Sequence, residues 1–117
     1  DIPDLEVKGE QEGELLVLGW GSTYGAITAA VHKIEARGLK VSHAHLKYIN
    51  PFPKNLGDVL KRFKKVLLPE INLGQLSQIL RNQYLIELVQ FNKVQGLPIK
   101  ASEIEEQILN IIGGKNE

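Results

Sequence analysis

The sequence has no cysteine and no methionine, and it carries a single tryptophan. Without cysteine there is no disulfide, no cysteine-ligated zinc, no thiol nucleophile and no iron–sulfur cluster held by this chain. A cysteine-free chain fits a reducing, cytoplasmic setting. The absence of methionine includes the initiator position, so the expectation is a domain cut from a longer polypeptide. Charge of one sign is also missing: 14 basic residues balance 14 acidic ones. Nucleic-acid binding normally shows a basic excess, so no nucleic-acid partner is expected. The cluster of Arg62, Lys64 and Lys65 reads as a solvated helix end rather than a phosphate patch. No apolar run approaches the ~18 residues of a membrane span, so no membrane partner is expected. The acidic opening Asp1-Ile2-Pro3-Asp4 is no signal peptide.

What is present is an alternation of strand and helix patterns over 117 residues, a one-domain length. Residues 1–14 read as a linker, with a short edge strand at Leu5–Val7, and residues 15–117 as the domain. Leu15 to Gly19 is a continuous apolar run, which suits a strand buried on both faces. Ile27, Ala30, Val31 and Ile34 then fall on one helical stripe, with Ser22 as the expected cap and Gly38 as the stop. Val41 to Ile49 is the next strand, halted at Asn50-Pro51-Phe52-Pro53, where proline removes amide donors. Leu56, Val59, Leu60 and Phe63 mark a short helix, and Lys65 to Pro69 a third strand of the core. Asn72 caps a helix carrying Leu76, Ile79 and Leu80, and Leu85 to Asn92 is a further strand. After the loop Gln95-Gly96-Leu97-Pro98, Ser102 and Glu105 form a capping box. The box opens a helix with Ile104, Ile108, Ile111 and Ile112 on one face, closed by Gly113-Gly114. Strands alternating with helices imply a parallel sheet covered on both faces.

Several motifs carry possible chemistry. Gly19-Trp20-Gly21 and Gly25 stand between a strand and a helix, as in a dinucleotide loop. The third glycine comes one position late, no acid ends the second strand, and Trp20 crowds the pyrophosphate position. The turn is read instead as structural, with outward amides at Gly21–Tyr24 able to hold an anion or an acidic side chain. His43 and His45 share one strand face, and His32 is a third imidazole, but the neighbourhood lacks acids other than Glu35. They read as structural histidines rather than metal ligands. No G-x-S-x-G elbow exists, and the pair Glu105-Glu106 lies on a helix surface. Glu70 stands out, because an acid at the carboxyl end of a parallel strand is where such sheets contact ligands. Capping a neighbouring helix is the alternative reading of Glu70.

Four segments in order carry a resemblance. They are Leu16-Val17-Leu18-Gly19-Trp20-Gly21-Ser22-Thr23-Tyr24-Gly25-Ala26-Ile27, Asn50-Pro51-Phe52-Pro53-Lys54-Asn55-Leu56, Pro69-Glu70-Ile71-Asn72-Leu73-Gly74-Gln75-Leu76 and Gln95-Gly96-Leu97-Pro98. From about Leu15 to Ile112 the chain resembles the C-terminal domain of the alpha subunit of 2-oxoacid:ferredoxin oxidoreductases, the 2-oxoglutarate type in particular. The resemblance implies a transketolase C-terminal-like, three-layer α/β/α sandwich with a mostly parallel five-stranded sheet whose first strand is antiparallel. It implies an enzyme that oxidatively decarboxylates a 2-oxoacid to acyl-CoA with thiamine diphosphate and magnesium. Electrons would leave through an iron–sulfur cluster to ferredoxin. The family's ligands for these groups lie in other domains or in the beta subunit, so no catalytic, cofactor or metal residue is assigned here. The expected partners are the remaining alpha-subunit domains, the beta subunit and ferredoxin, with a homodimer also open. The expected role is assembly, through an edge formed by Trp20, Gly21, Ser22, Asn50, Phe52, Glu70 and Asn72, with Trp20 and Phe52 as anchors. The competing reading is a regulatory or CoA- and anion-binding domain using that edge.

Overall fold

In the computed structural model, residues 2–70, 75–93 and 97–113 are described. The elements in chain order are β1 (Val7–Lys8), β2 (Gly13–Trp20), α1 (Tyr24–Ala36), β3 (Ser42–Leu46) and α2 (Leu56–Lys61), then β4 (Phe63–Glu70), α3 (Gln75–Tyr84), β5 (Val89–Asn92) and α4 (Ala101–Ile108). They build one five-stranded sheet in the order β1-β3-β2-β4-β5. β1 runs antiparallel to β3, and every other pairing is parallel.

Period-two alternation along β2 explains the three layers. Leu16 and Leu18 point to a core shared with Leu56 and Leu60 of α2 and Leu76 and Leu80 of α3. Leu15 and Val17 point the other way, to Ile27 and Ile34 of α1 and Ile104 and Ile108 of α4. Each fully buried aliphatic side chain is worth ~1.5–3 kcal/mol over exposure. The apolar run in β2 therefore anchors both halves of the core. Behind α1, Gly38 takes φ +85, and its amide donates to Glu35 while the Leu39 amide donates to Ile34. That pair of bonds ends the helix as expected.

Several boundaries differ from expectation, each for a tertiary reason. The edge strand forms at Val7–Lys8, and β2 already begins at Gly13, where the Gly13 amide donates to Arg62 O. β3 ends at Leu46 rather than Ile49, because its partner β2 stops at Trp20, which pairs with Leu46. Phe63 opens β4 instead of closing α2, because it pairs with Gly13 of β2. β5 starts at Val89 rather than Leu85. Leu85 adopts φ +54, a left-handed turn incompatible with a strand, and its amide donates back to Arg81 O to finish α3.

The predicted capping box is also displaced. α4 begins at Ala101, and Glu103 Oε1 accepts from the Lys100 amide at 2.9 Å. Lys100 has no acceptor on its side chain, so only the glutamate half of a box exists. Glu105 instead pairs with Arg37 at 3.2 Å, tying α4 to the end of α1. Ile111 and Ile112 fall in a wider π-type turn, Leu109–Gly113, and are half-buried. Asn72, Gln95, Gly96 and Gly114 lie outside the described residues.

Candidate functional site at the carboxyl edge of the sheet

β2 lies between β3 and β4, and the chain leaves β2 for the opposite face from the one it takes after either neighbour. In open parallel sheets this reversal opens a crevice at the carboxyl ends of the strands. The turn after β2 is tight. Gly21 takes φ +67, and Gly21–Thr23 form a single 3₁₀ turn before α1. Thr23, not the predicted Ser22, secures it: its Oγ1 accepts from the Trp20 amide at 3.1 Å and donates to the Trp20 carbonyl at 3.0 Å. Thr23 is buried, which lets its hydroxyl reach back, whereas Ser22 is exposed. Trp20 is half-buried, its side chain packed on the α2/α3 core.

Gly19 explains how this turn meets β3. A Cβ there would lie 2.5 Å from Ile27 Cδ1, 3.0 Å from His45 Nδ1 and 3.2 Å from Thr23 Oγ1. The missing side chain is thus the space that the His45 ring occupies. Tyr24 meets that ring edge-on, with centroids 5.2 Å apart. His45 Nδ1 is buried without a hydrogen-bond partner. Burial pushes the His45 pKa down, the Gly21 carbonyl opposes this, and Lys47 adds to it. His43, on the same face, is lowered by burial and by Lys8. Both rings are therefore held towards neutrality. Among the described residues no three His, Asp or Glu side chains converge as a metal site.

At the end of β4, Glu70 is 1% exposed. Its Oε1 accepts from the Leu76 amide at 3.2 Å and its Oε2 from the Ser77 amide at 3.3 Å. The carboxylate therefore satisfies the first turn of α3, a favourable place for negative charge. Burial raises its pKa, and the two amides pull it partly back. Beside it, Gln90 Nε2 of β5 donates to Ser77 Oγ at 2.5 Å. Val17 pairs with Leu67, and counting that register onward sets Glu70 level with Trp20.

The remaining edge residues separate. Asn50 is exposed and precedes a cis bond to Pro51. The Phe52 ring lies 6.1 Å from Tyr84, the last residue of α3. Phe52 packs on the α2/α3 core, the same core that takes the Trp20 side chain. A cleft of about 460 Å³ opens on the outer side of β3. Tyr24, His45, Lys47 and Tyr48 line one side, and Asp4, Glu6 and Lys8 contribute from the N-terminal segment. The sequence held one signal of this cleft: Gly19, next to the end of β2, opposite His45 in the next strand.

Comparison with known proteins follows the same boundaries. The family model for pyruvate:ferredoxin oxidoreductase core domain II matches residues 13–104. The chain is 50% identical over 115 residues to the 2-oxoglutarate oxidoreductase subunit KorA of Mycobacterium tuberculosis, covering 97% of this chain and 18% of that protein. Among solved structures, 2-oxoglutarate:ferredoxin oxidoreductase from Magnetococcus marinus, with 2-oxoglutarate, coenzyme A and succinyl-CoA bound, superposes with TM-score 0.86. It is 32% identical, over 95% of this chain and 20% of that one. A split-gene transketolase shares the fold at TM-score 0.66 and 16% identity, over 92% of this chain and 41% of that one. This chain thus spans about a fifth of the length of these two oxidoreductases. The expected architecture, a transketolase C-terminal-like sandwich with an antiparallel first strand, is the one observed. The chain belongs to the pyruvate:ferredoxin oxidoreductase core domain II family.

Proposed function

We propose that this chain is an assembly domain of a 2-oxoglutarate:ferredoxin oxidoreductase alpha subunit. The whole cytoplasmic enzyme would oxidatively decarboxylate the 2-oxoacid to its acyl-CoA and pass electrons to ferredoxin. The observation that carries the reading is the match of 97% of this chain to less than a fifth of a 2-oxoglutarate oxidoreductase subunit. A piece of that kind works by packing against the rest, and contacts between domains of one chain typically bury ~600–1,500 Å². The chemistry of the edge agrees. Glu70, the one acid at the carboxyl end of a central strand, is committed to the α3 amides. The exposed groups nearby, Tyr24 and Tyr48, are amphipathic rings of the kind that anchor interfaces.

The cofactors that the family implies do not fit the residues present. No cysteine is available for an iron–sulfur cluster. The imidazoles of His43 and His45 are not joined by acids into a metal set. Thiamine diphosphate, magnesium and the cluster are accordingly assigned to other domains or to the beta subunit, and coenzyme A to a site these provide. No helix among the described residues is long and apolar enough to cross a membrane.

The docking edge is placed at Trp20, Gly21 and Ser22, with Asn50 at its margin. Glu70 closes β4 behind it, Phe52 lies beside Tyr84, and Asn72, outside the described residues, is kept in the proposed edge. Trp20→Ala and Ser22→Arg, each made in the full-length alpha subunit, should reduce assembly with the beta subunit, read by native mass. Ser22 is exposed, so its substitution separates docking from folding. Normal assembly by both variants would sink the proposal.

A further inference from the structure

β3 is an edge that is only partly closed. β1 pairs with it at Val7–Ala44 and Lys8–His43 and nowhere else. Beyond that point residues 3–6 diverge, and among the described residues no backbone hydrogen bond joins them to 45–48. The divergence is built in. Asn55 Oδ1 accepts from the Leu5 amide at 2.7 Å, and Asn55 Nδ2 donates to the Leu5 carbonyl at 3.0 Å. One side-chain amide thus replaces the strand partner that Leu5 would have found on β3. Leu5 itself is buried in the α2/α3 core, which fixes the segment away from the strand.

The result is the cleft of about 460 Å³, floored by the end of β3. Two exposed aromatic side chains, Tyr24 at 45% and Tyr48 at 42%, stand at its rim. Its charged groups are of both signs: Asp4, Glu6 and Lys8 on the N-terminal side, Lys47 on the other. A site for a small anion would lack those acids. Unpaired strand edges are where polypeptide segments add, their backbones supplying the hydrogen bonds and flanking pockets reading the side chains.

We propose that this cleft takes up an extended segment from elsewhere in the same alpha-subunit polypeptide, added as a strand on the outer edge of residues 45–48. This rests on the assembly reading, in which the chain is one domain of a longer subunit. The Mycobacterium tuberculosis and Magnetococcus marinus oxidoreductases are about five times as long as this chain, and that further length supplies the occupant. The segment that fits carries an apolar residue between the two tyrosines, flanked by charges of both signs to meet Lys47 and Glu6.

The test uses the full-length enzyme with a photoreactive p-benzoylphenylalanine in place of Tyr48. Crosslinks should map to one extended segment of the same subunit. Amides 45–48 should exchange hydrogen at least about tenfold faster in a Tyr48→Asp enzyme than in the parent, because opening of the added strand then governs exchange. Crosslinks to the beta subunit, to a second copy or to nothing would overturn the proposal, as would unchanged exchange. The assembly reading fails separately, on normal assembly of Trp20→Ala and Ser22→Arg.

Discussion

Two strand-to-helix turns stand side by side on this sheet, and they solve the same problem differently. After β2, the chain enters α1 through a buried threonine hydroxyl that bonds both backbone groups of Trp20. After β4, a buried carboxylate accepts from the first amides of α3. The hydroxyl ties the turn back to the end of its strand, whereas the carboxylate accepts from orphan amides of its helix. The difference is burial. The α1 turn keeps Gly21, Ser22 and Tyr24 exposed, so water can complete it. The α3 start is closed over Leu76 and Ser77, so the protein must supply both acceptors itself. The α1 start stays exposed to solvent, and the α3 start is closed by the Glu70 carboxylate.

That comparison can be broken at three points. The largest effect belongs to Glu70→Ala, which strands two buried amides and should cost about 2–4 kcal/mol in chemical denaturation. The Glu70→Gln variant then isolates the charge. Because burial raises the folded pKa of Glu70, the native state holds its proton more tightly than the unfolded chain. Its contribution is full below the ordinary carboxylate pKa and is lost as pH rises through the raised one. The parent should therefore lose stability across that interval, and Glu70→Gln should not show this component. A parent whose stability climbs there would contradict the assignment.

Next comes Gly19→Ala, which forces a methyl into Ile27 and the His45 ring. Overpacking of this kind costs about 1–3 kcal/mol, and an NMR shift of the His45 ring should accompany the loss. An unperturbed ring would mean that His45 does not use that space. The smallest effect is Thr23→Ala, about 1 kcal/mol by thermal unfolding. If it equalled Glu70→Ala, the contrast between an open and a closed turn would be wrong.

Much of the fold was legible in the sequence, and the failures share a cause. The α1 stripe of Ile27, Ala30, Val31 and Ile34 is buried as read, and Gly38 stops the helix where its left-handed φ allows. Periodicity and glycine are local signals, so the chain carries them without help. Where a strand ends is not local. β3 stopped at Leu46 because β2 had no further residue to offer, and Phe63 became strand because Gly13 was beside it. The capping residues were misread for the same reason. Ser22 was expected to cap α1, but the hydroxyl that is used is the buried one of Thr23, and it bonds Trp20 rather than the α1 amides.

The candidate site divides likewise. Glu70 was visible as an acid at a strand end, with ligand contact and helix capping both open. Its two amide bonds bring it to the capping role in this structure. Phe52 was legible as an aromatic after a strand, but its pairing with Tyr84 depends on where α3 ends. Beyond Gly19 set opposite His45, the cleft beside β3 could not be read, because it exists only where residues 3–6 leave the strand and Asn55 holds them off.

The sequence alone determined the order of strands and helices, the two-faced β2 and the family, because apolar period, glycine and the motif order are written along the chain. The tertiary structure decided which residues cap, which edge stays unpaired and which turn is open. Those outcomes depend on which groups are left without a neighbour once the sheet has closed, and no single segment carries that information.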